Sequence, residues 1–183
     1  STGIATIAAS EFAESGLLTI YPEPLVGADG RTSWQGAPYS PSGVSDVRFV
    51  ADLLDDLAKR FCIDVSRVYA VGMSNGAGIA WLSSCYLADR ITATAVISGA
   101  MYQDCPDQKH PVPLFVIHSS SDYQVPYGGS TQRALPPLYE WSRHRALKNG
   151  CVPWPSQQQS KSYTLYEWTN CRSKKAVTLM EVY

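Results

Sequence analysis

The sequence predicts an α/β fold, and three observations carry that expectation. Short, continuous apolar runs rich in β-branched residues recur along the chain, segments with helical apolar spacing alternate with them, and proline or glycine closes most of both. Strands that read as unbroken apolar runs belong to a sheet buried on both faces, so the expected architecture is a mostly parallel sheet with helices on both faces. The length, 183 residues, suits one domain over 1–183.

Residues 16–22 form the first apolar run, closed by Pro22, and read as a strand. The glycine- and proline-rich stretch 23–45 reads as a long loop, a kind of segment that often carries function. From 45 to 61 the residues Val47, Val50, Leu54, Leu57 and Phe61 recur at threes and fours, with Asp55/Lys59 and Asp56/Arg60 on the other face, which is an amphipathic helix. Residues 68–72 read as a strand and 75–85 as a helix leaving it directly. Two more strands are expected at 92–98 and 113–118. A helix at 136–148 has prolines at its start and Asn149-Gly150 at its end, and a last strand covers 177–183. In such a sheet the loops after the strands share one edge, where ligands bind; here they are 23–45, 73–75, 99–110 and 119–130.

Composition excludes several classes. Charged residues make up 17% and hydrophobic ones 45%, which argues against disorder. A net charge of −1 offers no footprint for nucleic acid, and no apolar run approaches the roughly 18 residues of a membrane span. The opening Ser1-Thr2-Gly3-Ile4 lacks an initiator Met and a charged leader, so the chain reads as one that has been cut. The five cysteines, at 62, 85, 105, 151 and 171, have no CxxC spacing, so neither a metal nor any other cofactor is expected. Two disulfides and one leftover thiol in an oxidising compartment is the favoured reading, against five reduced thiols in a cytosolic protein.

Gly72-Met73-Ser74-Asn75-Gly76 satisfies G-x-S-x-G at the corner between a strand and a helix, the context that motif requires. A turn this sharp strains its central residue and calls for small neighbours, and it lifts the Ser74 hydroxyl to the start of a helix. There the backbone N–H of Asn75 points where an oxyanion forms. The alternative for Ser74 is an ordinary helix N-cap. A serine nucleophile needs a histidine and an orienting acid. Asp122, just after the 113–118 strand, is the candidate acid, with Asp104 and Asp107 as alternatives and an Asx-turn as its structural reading. None of His110, His118 and His144 stands where the base is expected, in a loop after the last strand.

The strings at 68–76, 42–47 and 122–128 resemble the polyhydroxybutyrate depolymerase and feruloyl or acetylxylan esterase group of secreted α/β-hydrolases. The resemblance runs from about residue 11 to 183. It implies an α/β-hydrolase fold, Ser74 as nucleophile and Asp122 as acid, acting on ester substrates that include polymers such as acylated plant polysaccharide or polyhydroxyalkanoate. It also implies that the first strands with their H-G oxyanion motif, and the closing G-H-x-W-P-like string with its histidine, lie outside these residues. The chain then reads as an incomplete, extracellular enzyme that is inactive alone. A non-catalytic binding protein and a serine peptidase of the same fold are the competing readings. Trp34, Tyr39 and Tyr123 are candidates for substrate contact, with surface aromatics as the alternative. Strand direction suggests Cys62–Cys85 at the bottom of the sheet; Cys151–Cys171 is the second pairing and Cys105 is left over. Neither the ester nor the oligomeric state is legible.

Overall fold

A computed structural model of the chain describes residues 5–8 as backbone, and 16–27, 29–105, 110–172 and 175–183 with their side chains. The alternative acid Asp107 lies outside the described residues. The strands are β1 (Ala5–Ala8), β2 (Thr19–Pro22), β3 (Leu25–Val26), β4 (Thr32–Ser33), β5 (Tyr69–Met73), β6 (Ala93–Ile97), β7 (Leu114–Ser119), β8 (Ser156–Gln159), β9 (Tyr163–Trp168) and β10 (Val177–Val182). The helices are α1 (Asp46–Arg60), α2 (Asn75–Tyr86) and α3 (Leu138–Lys148).

The main sheet is mixed, with strand order β5-β6-β7-β10-β9-β8. β5, β6, β7 and β10 run parallel, and β9 and β8 add antiparallel pairings at one side. All four parallel strands correspond to runs expected from sequence. β8 is fully exposed and its SQQQ carries no apolar signal, and the β3–β4 ladder of two residues a strand is too short to leave a pattern.

Helix ends follow the expected chemistry. Ser45 caps α1, its hydroxyl accepting the Arg48 N–H at 3.4 Å, with Asp46 in the first turn and Lys59 and Arg60 in the last. Asp56 pairs with Arg60 at 3.1 Å, whereas Asp55 is taken at 2.7 Å by Arg90, not by Lys59.

The sheet face lined by Val96, Leu114, Val116, Val177 and Leu179 is buried in one cluster with Phe49 of α1, Trp81 and Leu82 of α2, and Leu138 and Trp141 of α3. Trp81 and Trp141 meet edge to face at 4.9 Å. Among the described residues all three helices therefore gather on this face. The expectation of helices on both faces is corrected: on the other face Tyr69, Val71 and Met73 are 55–67% exposed. Ala95, Ile97, Phe115, Ile117 and Met180 continue that face half-buried.

The disulfides are Cys85–Cys105 and Cys151–Cys171, and Cys62 is a free, exposed thiol. The expected Cys62–Cys85 pairing is corrected to Cys85–Cys105, and the reason is chain direction. Because β6 and β7 are parallel, residues 98–113 must return from the top of the sheet to its bottom. That return carries Cys105, 3% exposed, down alongside the end of α2.

Candidate active site

Ser74 stands at φ 54°, ψ −122° between β5 and α2, in the left-handed region that non-glycine residues avoid. The conformation is held from three directions. The Ser74 N–H donates to the Ile97 carbonyl at 3.0 Å, and its own carbonyl accepts the N–H groups of Ala77 at 3.1 Å and Ala100 at 3.0 Å. Its side chain makes no capping hydrogen bond and the residue is exposed, so it is not spent as an N-cap.

The two flanking glycines do different work. A Cβ on Gly72 would lie 2.0 Å from the Gly76 carbonyl oxygen, so only glycine lets strand and helix pass this closely. A Cβ on Gly76 would meet open space, which corrects the expectation that both neighbours must be small for the same reason.

Asp122 lies in the loop after β7, its side chain 15% exposed. One carboxylate oxygen accepts the N–H groups of Gln124 and Val125, each at 2.9 Å. Burial raises its pKa, but those two N–H bonds, the nearby His118 and the Ser98 hydroxyl outweigh it and hold the carboxyl below the ordinary range. The Asx-turn expected as the structural reading is thus present, and it leaves the second oxygen 3.5 Å from His118 Nε2.

Ser98 joins the two halves. It follows β6, stands at φ 44°, and its N–H holds Ile117 at 2.9 Å while Ile97, its neighbour, holds Ser74. With one strand between them, the Ser74 corner and the Asp122 loop are roughly 10 Å apart at sheet level. That gap is on the scale of one imidazole with a hydrogen bond at each end.

None of the three histidines fills it. His118 is 1% exposed and its Nε2 donates to the Val125 carbonyl at 2.7 Å, so it supports the Asp122 loop from below. His144 is exposed on α3, and His110 is exposed ahead of β7. The Tyr127 phenol is pushed above its ordinary range by burial and by Glu181 beside it, and this contact ties the same loop to the end of β10. Asp104 is exposed and spends an oxygen on the N–H of Cys105 at 2.7 Å.

Trp34 is 8% exposed and stacked on Phe49 at 6.3 Å, so its ring belongs to the core and not to a binding surface, contrary to expectation. Tyr39 is half-buried under the Arg31 guanidinium at 4.4 Å, and Tyr123, beside Asp122, is 84% exposed. The backbone of Trp34 has a role that sequence reasoning missed. The Asn75 amide accepts its N–H at 2.7 Å and donates to its carbonyl at 3.3 Å. Next to it, the Gln35 N–H donates to Asp46 at 2.6 Å, and Gln35 Oε1 accepts the N–H of Val47 at 3.1 Å. Asp46 is 3% exposed, and burial raises its pKa against the Gln35 hydrogen bond. The long loop is therefore pinned to the amino ends of both α1 and α2. No local pattern announces a contact between residues 41 apart in the chain.

No protein-family model matches the chain. It is 30% identical over 136 residues, 72% of its length, to feruloyl esterase D of Neurospora crassa. Over 166 residues, 91% of its length, it is 30% identical to a bifunctional acetylxylan esterase/xylanase of Neocallimastix patriciarum. With feruloyl esterase B of Piromyces equi the identity is 25% over 163 residues, 82% of the chain. The matched regions span 44%, 23% and 30% of those proteins, so the chain covers less than half the length of each.

Proposed function

We propose that this chain carries the nucleophile and acid of a serine carboxylesterase acting on acyl esters of plant polysaccharide, the class of reaction named for its feruloyl and acetylxylan esterase relatives. One observation carries the reading: an exposed Ser74, strained at a strand-to-helix corner, shares the Ser98 linkage with an ionised Asp122. In this scheme Ser74 Oγ attacks the acyl carbon and its proton passes to an imidazole seated between Ser74 and Asp122. The alcohol leaves with that proton, and water releases the acid from the acyl-serine by the same path. The oxyanion of each tetrahedral stage faces the amino end of α2, where the Asn75 N–H is the donor assigned from this chain.

The base is a histidine supplied from outside residues 1–183, since His118 is spent beneath the Asp122 loop and the other two stand elsewhere. The two disulfides suit an oxidising, extracellular setting. Polyhydroxyalkanoate as substrate has no support among the relatives named above.

The test uses the natural polypeptide that carries this sequence, with methyl ferulate and acetylated xylan as substrates. Hydrolysis that Ser74→Ala and Asp122→Asn each reduce by three or more orders of magnitude, on the order of what such groups contribute, supports the reading. Activity that survives Ser74→Ala sinks it. The 183 residues alone should hydrolyse p-nitrophenyl acetate on the order of a million-fold more slowly than an intact triad.

A further inference from the structure

We propose that Arg133 is a carboxylate-binding subsite beside Ser74 and Asp122, and that its ligand is a uronic-acid unit on the esterified polysaccharide. The proposal rests on the esterase reading above. Arg133 sits in a turn closed by two hydrogen bonds of 2.9 Å between the backbones of Ser130 and Leu135. Its neighbour Ala134 is held at φ 53°, a conformation that persists in a non-glycine residue only where the surroundings enforce it.

Leu135 supplies that enforcement, buried in a small apolar cluster with Ala100 and Val125, against which Tyr102 packs. Ala100 is the residue whose N–H holds the Ser74 carbonyl, and Val125 belongs to the loop that carries Asp122. The turn is thus docked on both loops of the site at once.

The guanidinium lies across the same two loops. Arg133 Nη1 donates to the Gln124 carbonyl, and Nη2 to the Tyr102 hydroxyl at 3.4 Å. Both partners are neutral. Among the described residues no carboxylate stands within ion-pair distance of Arg133, while Asp29, Asp55, Asp56, Asp64 and Glu140 are each taken by another arginine. The charge is oriented, and among the described residues no carboxylate neutralises it.

A guanidinium has five N–H donors in a planar fork that matches a carboxylate, and two are in use here. An acetyl or feruloyl ester is neutral at the reacting carbon, so the acyl site has no use for a fixed cation at this place. A sugar chain bearing uronic acid does, and the 84% exposed ring of Tyr123, between Asp122 and the Arg133-bound Gln124, offers a flat surface for a sugar ring.

The experiment compares kcat/KM for acetylated xylo-oligosaccharides with and without one uronic-acid branch, using the natural polypeptide. The expected result is a preference for the charged substrate that falls about tenfold in Arg133→Gln, is partly kept in Arg133→Lys, and weakens in about 0.5 M salt. An unchanged preference, or an equal loss on both substrates as a mere strut between loops would give, overturns the proposal. Calorimetry on Ser74→Ala separates the two readings. Uronate binding that needs Arg133, when the protein with Ser74 intact hydrolyses neither substrate, sinks the esterase reading alone. Ser74-dependent hydrolysis blind to the uronate sinks this one alone.

Discussion

At the scale of single residues, the Ser74 corner depends on one missing methyl group. Gly72→Ala must push a Cβ into the Gly76 carbonyl, and we expect it to cost about 2–3 kcal/mol in urea unfolding, with Gly76→Ala within about 0.5 kcal/mol of wild type. Comparable losses from both would show that the glycines serve backbone freedom and not close approach. Two aspartates shift in opposite directions. Asp122 titrates below the ordinary range, so its ionised form contributes stability that is complete above a pH of about 4 and fades as pH falls through its folded pKa. Asp46 titrates above it, so its contribution is fully present at low pH and is lost as pH rises through its folded pKa. Asn at 46 keeps an acceptor for the Gln35 N–H without the buried charge. Asp46→Asn should therefore be at least as stable as wild type at pH 7 and lack the fall in stability expected of wild type as pH rises through the folded pKa of Asp46, followed by urea midpoints.

At the scale of elements, the connection from β6 to β7 is the instructive one. A parallel crossover with no helix among its described residues must still descend the sheet, and Cys85–Cys105 staples it to α2 midway. With a separation of 20 residues, the bridge is worth about 3 kcal/mol in the chain-entropy model. Cys105→Ser should lose about that much, and thiol titration of the unreduced native chain should find Cys62 alone. A peptide map linking Cys62 to Cys85 would contradict this arrangement. The sequence made α1 legible by its apolar period, the four parallel strands by their continuous apolar runs, α2 by leaving a strand directly, and α3 by the prolines and the Asn149-Gly150 pair at its ends. β8, four exposed polar residues, and the two-residue strands β3 and β4 were not, because they are stabilised by pairing and not by any pattern of their own.

At the scale of the whole molecule, among the described residues the sheet has one face packed by helices and one apolar face that no helix covers, exposed at β5 and half-buried beyond it, with the edge of β5 unpaired. Parallel sheets are ordinarily covered on both sides, and an open apolar face beside an unpaired edge favours association. The 183 residues alone should scatter light at micromolar concentration. Val71→Lys, at a position 67% exposed, should reduce that association while leaving stability within about 0.5 kcal/mol. Scattering unaffected by this change would place the contact elsewhere.

The sequence by itself determined the α/β class, the corner at Ser74 and the loop at Asp122, because apolar period and turn chemistry act over a few neighbouring residues. Burial of Trp34 in the core, the Asn75 amide on its backbone, the descent of Cys105 to meet Cys85, and the Arg133 turn docked on Ala100 and Val125 were decided only by tertiary structure. Each joins segments 20 or more residues apart, or closes against a surface that does not exist until those segments have packed, and no local spacing encodes such a meeting.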